Sequence, residues 1–247
     1  MENQLQQQGV LLADHKLDDK SVVVIGDIHG CADALRQILA QVYGTRCTLV
    51  FTGDLIDRGD DSDVVLRTVR AIHEKPKSYG LKAVHVVRGN HEQMALDAYK
   101  ESKDEHVQGN PFRLAKGKYQ LWKQNGGTKE NFDFMTDTDM WSWLETLPLY
   151  YEHPSEIEWE HDEPRKLLVS HASVESGVPL DEQDPEVLIW DRHVEGYGKD
   201  YLTVHGHTIC RNGEPVVYET KTGDVLRIDT GSFFTGIITG IALRETT

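Results

Sequence analysis

Residues 21–30 read Ser21-Val22-Val23-Val24-Ile25-Gly26-Asp27-Ile28-His29-Gly30, and the fold turns on them. A β-branched run without polar alternation suits a strand buried on both faces. It stops at a glycine-flanked turn whose Asp27 and His29 are of the types that ligate metals and move protons. A helix follows, because Ala34, Leu35, Ile38, Leu39 and Val42 fall on one face at helical spacing. The same order then recurs. Cys47 to Phe51 is a strand, Gly53 to Gly59 a loop, and Asp60 to about Glu74 a helix with Val65, Val69 and Ile72 in register. A third unit runs from Ala83 to Val87, through Arg88 to His91, into a helix from about Glu92. Three successive strand–loop–helix units predict an α/β fold with a mainly parallel sheet and helices on its faces. Loops at the carboxyl edge of such a sheet carry the site, and Asp27, His29, Asp54, Asp57, Asn90 and His91 all fall there.

Away from this βαβαβ scaffold the pattern is weaker. Residues 1–20 are polar and without periodicity, and read as a tail. Roughly Lys100 to Pro148 reads as helical and irregular, with Trp122, Trp141 and Trp143 supplying apolar bulk. Residues 152–163 are acidic and read as a solvated loop or hairpin, with a specificity loop as the sharper alternative. The last third returns to strands: Leu167 to Val169, Tyr201 to Val204, a hairpin from Val216 to Ile228 turning near Gly223-Asp224, and Phe234 to Leu243. These predict a second sheet packed on the first. With no internal repeat and no linker, residues 21–247 read as one catalytic domain.

Composition narrows the function. The chain has 247 residues, 38% hydrophobic and 27% charged, enough for a core and unlike a disordered tail. No apolar run approaches the roughly 18 residues of a membrane span, and the Gln-rich start carries no signal-peptide pattern. Cys31, Cys47 and Cys210 are scattered and odd in number, which argues against a disulfide framework or a Cys-rich zinc site and fits a reducing cytoplasm. A net charge of −15 disfavours nonspecific binding to nucleic acid or acidic membranes.

Histidine is abundant, at 12 residues. His171 follows the strand around Leu167–Ser170, and His207 follows the one around Leu202–Val204. With Asp27, His29, Asp54 and Asn90 they make six oxygen and imidazole donors just beyond apolar strands. Divalent cations take such ligands on rigid elements, and two cations about 3.5–4 Å apart need one shared ligand, usually a carboxylate. Each residue alone would read as packing or surface; the set does not.

Gly26-Asp27-Ile28-His29-Gly30, Gly53-Asp54-Leu55-Ile56-Asp57-Arg58-Gly59 and Gly89-Asn90-His91-Glu92 match the three motifs of the phosphoprotein phosphatase branch of metallophosphoesterases. Ser170-His171-Ala172 and Gly206-His207-Thr208 resemble its two remaining metal motifs. Asn125-Gly126-Gly127 and Ile228-Asp229-Thr230-Gly231 extend the likeness, and the short length looks most like the bacteriophage λ type, which includes bacterial protein phosphatases. The resemblance implies a metallophosphoesterase-type β-sandwich of mixed sheets flanked by helices. It implies that Asp27 and His29 bind one metal, Asp54 bridges, and Asn90, His171 and His207 bind the second. His205 is then packing or support, and Ile209 stands where nuclease-like relatives often place a further His.

The implied reaction is attack of metal-bridging hydroxide on a phosphate monoester, with His91 as general acid and Asp57 orienting it. Two divalent cations, two carboxylates and a hydroxide leave about +1 at the centre, which draws phosphate into an acidic protein. Arg58 and Arg192, with Asn90, are the expected phosphate contacts, since a guanidinium fork matches phosphate oxygens. Arg88 supports the Gly89-Asn90 turn, Glu92 caps or supports, and Cys31 packs. Nitrogen and oxygen ligation suits manganese, iron and zinc, and the resemblance favours manganese. The expected substrate is phosphoserine or phosphothreonine in proteins, with phosphotyrosine as an extension. A dinucleoside polyphosphate such as diadenosine tetraphosphate, or capped RNA, is the alternative, for which Tyr119, Trp122 or Tyr197 could stack a base. A non-catalytic metal-binding interaction module is the rival of a different class; it predicts damage to Asp57, His91 or Arg58, and all three stand.

Overall fold

The β-branched run is buried at every position and forms β2 (Ser21–Ile25), second in the chain after β1 (Gln8–Leu12). The computed structural model describes residues 7–103, 117–127, 137–159 and 164–246. Alternation across the pleat sends Val23 and Ile25 into one core and Val22 and Val24 into another. β2 pairs in parallel with β3 (Thr48–Phe51), and β3 with β4 (Ala83–Val86). On the Val23 side lie α1 (Ala32–Val42), α2 (Ser62–Glu74), α3 (Asn90–Lys103), α4 (Lys118–Gln124) and α5 (Thr138–Thr146). α1 buries Ala34, Leu35, Ile38, Leu39 and Val42, the apolar face its spacing predicts.

The second half comprises β5 (Tyr150–Glu158), β6 (Arg165–Ser170), α6 (Pro185–Trp190), β7 (Tyr201–His205), β8 (Val216–Thr220), β9 (Gly223–Arg227), α7 (Ser232–Thr235) and β10 (Ile237–Glu245). β6, β7 and β9 are parallel neighbours, with β5 and β8 antiparallel at their flanks. Val22, Val24 and Val50 pack against Leu167, Val169, Leu202 and Val204, so the two halves stack face to face as a sandwich. Leu188 and Ile189 of α6 cover Leu168 and Tyr201 on the outer face. The expected mixed α/β sandwich flanked by helices is what forms. Its halves are one hydrogen-bonded sheet of ten strands, nine of them in the order β4-β3-β2-β10-β5-β6-β7-β9-β8 and β1 beside β10. β10 makes the join: antiparallel to β2, it reaches β5 through Arg244 and Glu245 alone.

Several sequence expectations need correction. Gln8–Leu12 is a strand and not part of a polar tail; it pairs in parallel with Ile237–Ile241, the edge of β10 that β5 leaves open. The acidic segment is the hairpin alternative as far as the described residues go, since Tyr150–Glu158 pairs antiparallel with β6 across a bulge between Glu152 and Glu156. Glu160, Asp162 and Glu163 lie outside the described residues, as do 104–116 and 128–136 of the middle segment. The β8–β9 hairpin turns at Lys221–Thr222, because Thr220 already pairs with Gly223. Phe234 belongs to α7, and the last strand begins at Ile237. Among the described residues no helix is long and apolar enough to cross a membrane.

Candidate active site

The carboxyl ends of β2, β3, β4, β6 and β7 converge. Asp27 and His29 follow β2, Asp54 follows β3, Asn90 opens α3 after β4, and His171 and His207 follow β6 and β7; all six are buried. α3 starts two residues earlier than its pattern suggests, so Asn90 and His91 ride on a helical turn and not on a loop. The loops are drawn tight. A Cβ on Gly206 would collide with Asp27, and one on Gly89 with Asp54. Among the described residues six non-glycines have positive φ, and five of them are His29, Asp54, Asp57, Arg58 and His207. Such backbone costs about 1–3 kcal/mol per residue and persists where its surroundings impose it.

Asp54 is the centre. Its Oδ2 lies 3.5 Å from His29 Nε2 and its Oδ1 3.4 Å from His171 Nε2. Asn90 Oδ1 lies 2.9 Å from His171 Nε2 and 3.0 Å from His207 Nδ1. Asp27 is held by Thr52 Oγ1, which donates to Oδ1 at 3.2 Å, and by the His207 backbone N–H, which donates to Oδ2 at 3.0 Å. Two donor sets, His29–Asp54–His91 and Asp54–His171–His207, therefore share one carboxylate.

The outward ring nitrogens decide what this arrangement can hold. His29 Nδ1 meets the Ile56 carbonyl at 2.9 Å, His171 Nδ1 that of Thr52 at 2.9 Å, and His207 Nε2 that of Trp190 at 3.1 Å. A carbonyl only accepts, so these nitrogens carry protons and the opposite nitrogens of neutral rings turn lone pairs inward. His207 Nδ1 then faces Asn90 Oδ1, acceptor against acceptor. Burial pushes His29 and His207 down to about 3, and burial with the Asp229 charge pushes Asp27 well up. His171, despite burial, is lifted to about 10 by Asp54 and Asp27. Cations among these groups would relieve the acceptor clash and replace the His171 proton. The donors fit a dinuclear divalent centre spanned by Asp54.

His91 sits at the rim of this cluster. Its Nδ1 donates to Asp57 Oδ2 at 2.8 Å, and Trp122 Nε1 donates to the same oxygen at 2.8 Å. Arg58 bridges the two imidazoles, Nη1 lying 3.1 Å from His29 Nε2 and Nη2 3.1 Å from His91 Nε2. Burial, aided by Arg58 and His171, lowers His91 to about 4. Arg58 shares with Arg192 a cleft of about 700 Å³ that also takes in Asn125, Gly126 and His207. The Asn125-Gly126-Gly127 turn supports it, since the Gly126 carbonyl accepts the Arg58 N–H at 3.1 Å.

Four residues do more here than the sequence conveys. Trp122, read as bulk or a base-stacking ring, is buried with its N–H on Asp57. Glu92 is a staple: Oε2 accepts the N–H groups of Asp54 and Gly89 at 2.9 Å each, and Oε1 that of Leu55 at 2.8 Å. Burial and the Asp54 charge raise it to about 7. Asp229, noticed only as part of a motif, lies buried and is raised to about 6 by burial. Arg227 reaches under the cleft, its Nη2 donating to the carbonyls of Arg192 at 2.7 Å and His193 at 3.0 Å. No motif points to it. Arg88 ties the first turns of α3 to the end of α5 through Gln93 Oε1 and the Leu147 carbonyl. His205 is buried against Ser170 Oγ at 2.9 Å, and Tyr197 packs on Tyr201, away from the cleft. The three cysteines are free and buried, with burial lifting Cys31 and Cys210 to about 11; such thiols are poor nucleophiles at neutral pH.

Hydrolysis of phosphate esters at a dinuclear metal centre is the chemistry that this class of fold and donor set defines. Residues 20–211 match the calcineurin-like phosphoesterase family, and the chain belongs to it. Over 227 residues it is 32% identical to serine/threonine-protein phosphatase 2 of Salmonella typhimurium, covering 88% of this chain and 90% of that one. Over 153 residues it is 29% identical to a symmetrical bis(5'-nucleosyl)-tetraphosphatase of Proteus mirabilis, covering 61% of this chain but 44% of that protein. The fold is shared with the crystal structure of a candidate diadenosine tetraphosphatase, at TM-score 0.57 and 21% identity over 96% of this chain and 93% of that one.

Proposed function

We propose that this chain is a dinuclear-metal-dependent phosphomonoesterase acting on phosphoserine and phosphothreonine in proteins, with the sheet from β1 to β10 and its helices as one catalytic unit. The observation that carries this reading is the Trp122–Asp57–His91–Arg58 chain of hydrogen bonds, which links the buried Asp57–His91 pair to the cleft that Arg58 lines with Arg192 and His207. A non-catalytic module has no use for it. Asp27 and His29 would hold one metal, Asn90, His171 and His207 the other, and Asp54 both. Two divalent cations, manganese in our reading, would supply Lewis acidity and lower the pKa of water at the site when bound.

The chain's own residues do the rest. Arg58 and Arg192 hold the phosphate oxygens, with the Asn90 side chain beside them. Drawn onto phosphate, the Arg58 guanidinium leaves His91 Nε2. That departure, the incoming phosphate charge and Asp57 all raise the proton affinity of His91. Water attacks phosphorus in line as it gives up a proton, the P–O ester bond breaks, the departing oxygen takes the Nε2 proton, and the proton released by the water restores His91 for the next turnover.

The match along nearly the whole of a protein phosphatase, against less than half of a tetraphosphatase, favours protein substrates. The test is to strip the protein with chelator, reload it with manganese, and compare kcat/KM on phosphoserine, phosphothreonine and phosphotyrosine peptides with diadenosine tetraphosphate, using Asp54→Asn as control. Peptide turnover should dominate and vanish in the control. Preference for the dinucleotide would keep the metal chemistry and overturn the substrate; no turnover of either would return the binding module.

A further inference from the structure

Five of the six non-glycine residues with positive φ stand in the candidate active site; the sixth is Arg46, at φ 65°. Left-handed backbone is unfavourable for a residue with a Cβ, and it gathers where a side chain has to be aimed. Gly44 and Gly80 in the neighbouring turns also have positive φ, and a glycine at 46 would satisfy the backbone without strain. Arg46 Nη2 donates to Asp19 Oδ2 at 3.0 Å, but an exposed ion pair offsets little of that strain.

Arg46 lines a cleft of about 660 Å³ with Asp19, Lys20, Lys77, Lys82 and Glu245. The cleft lies at the edge of the sheet opposite the metal-ligand loops. Lys20 immediately precedes β2, Arg46 stands two residues before β3, and Lys82 immediately precedes β4. Lys77 comes from the short turn Pro76–Tyr79. Backbone hydrogen bonds brace these segments against one another. The Arg46 N–H donates to the Gly80 carbonyl at 2.8 Å, that of Lys82 to Cys47 at 2.9 Å, and that of Glu245 to Lys20 at 2.8 Å. Lys82 Nζ is held by the Asp19 carbonyl at 3.1 Å and by Glu245 Oε1 at 2.9 Å. A cleft framed in this way needs little ordering to receive a ligand.

Charge selects the occupant. The whole chain carries −15, yet here four cations face two carboxylates, a surplus of two positive charges. Arg46 and Lys82 are paired to those carboxylates, whereas among the described residues the Lys20 and Lys77 ammonium groups have no ion pair. Two open ammonium groups beside a guanidinium fork suit a dianion. A nucleic acid or an acidic protein would meet the repulsion of the whole chain, and a cleft of this volume suits a small molecule.

We propose that this cleft is a second anion site, separate from the catalytic one, which binds a small organic dianion carrying one phosphoryl or two carboxylate groups. The proposal goes beyond the phosphatase reading and does not depend on it. Calorimetry on the manganese-loaded protein, with methylphosphonate and succinate as probes, tests it. At least one probe should bind both wild type and Arg58→Ala/Arg192→Ala, in which the catalytic clamp is gone. Binding of methylphosphonate alone marks a phosphoryl ligand, and binding of succinate alone a dicarboxylate. That binding should weaken about tenfold or more in Lys20→Met/Lys77→Met and in Arg46→Gly, and should fall as salt is added. Because glycine accepts the backbone at 46, the Tm of Arg46→Gly should be no lower than that of wild type, so that its lost affinity reports the side chain. Failure of both probes to bind Arg58→Ala/Arg192→Ala, or binding indifferent to both cleft variants, would overturn the proposal.

Discussion

Glu92→Gln isolates how the site is held together. The Glu92 carboxylate is fully buried and faces four backbone donors: Asp54 and Gly89 on Oε2 at 2.9 Å, and Leu55 at 2.8 Å and Ile56 at 3.4 Å on Oε1. A glutamine keeps the volume but offers one oxygen and one NH2. Whichever way the amide turns, the NH2 meets two N–H groups, donor against donor. Each buried N–H left without an acceptor costs about 1–3 kcal/mol, so the substitution should cost about 2–6 kcal/mol. That is a large share of the roughly 5–15 kcal/mol by which domains are stable. At this chain length it corresponds to a fall in Tm of roughly 10 °C. The assay is urea and thermal unfolding at pH 8, above the value of about 7 to which burial and Asp54 raise Glu92, so that the wild-type group is ionised. Manganese affinity should fall in parallel, because the Asp54 loop and the Gly89 turn lose their common anchor. A loss below about 1 kcal/mol with unchanged manganese affinity would refute the staple.

His91→Ala should leave the metal content near wild type and cut kcat by about 10²–10⁴; loss of one metal in elemental analysis would make His91 a ligand instead of an acid. Trp122→Phe removes the second donor to Asp57, and kcat should fall about tenfold or more with KM little changed, as expected for a hydrogen bond to a charged group. Arg227→Met frees the backbone beneath Arg192, so KM for phosphopeptides should rise about tenfold while kcat holds; equal losses of both would mean that Arg227 only supports the fold. His85, which stacks on Tyr151 with ring centroids 4.0 Å apart, is lowered to about 4 by burial, with His73 and His153 adding to it. Its folded value lies below its unfolded one of about 6.5, so the unfolded chain binds the extra proton as pH falls from 6.5 to 4, and stability drops. His85→Gln should lose less stability than wild type across that window, as urea midpoints will show; parallel curves would remove His85 from the acid response.

Local pattern was enough for the scaffold and for most of the candidate site. A β-branched run needs no partner to declare that both its faces are buried, and Ala34, Leu35, Ile38, Leu39 and Val42 declare one helix face by spacing alone. Asp27, His29, Asp54 and Asn90 each stand beside glycine directly after a strand, and the chain order of strand ends brings them to one edge. Gln8–Leu12 was illegible because its partner, Ile237–Ile241, lies at the far end of the chain, and hydrogen-bond pairing leaves no mark in either segment. The join of the two half-sheets through Arg244 and Glu245 was hidden for the same reason.

The sequence by itself determined which residues have the chemistry to bind metals and move protons, since those properties belong to side-chain type and to the turn that carries them. Only the tertiary structure decided what each one faces. Asp54 stands between two histidine sets, Trp122 gives its N–H to Asp57, Glu92 gathers the N–H groups of two loops, Arg227 reaches under Arg192, and Phe233 and Phe234 stand exposed at the mouth. These relations depend on distance and direction between segments tens to hundreds of residues apart. Packing of the two half-sheets and their helices sets that geometry, and one-dimensional spacing does not.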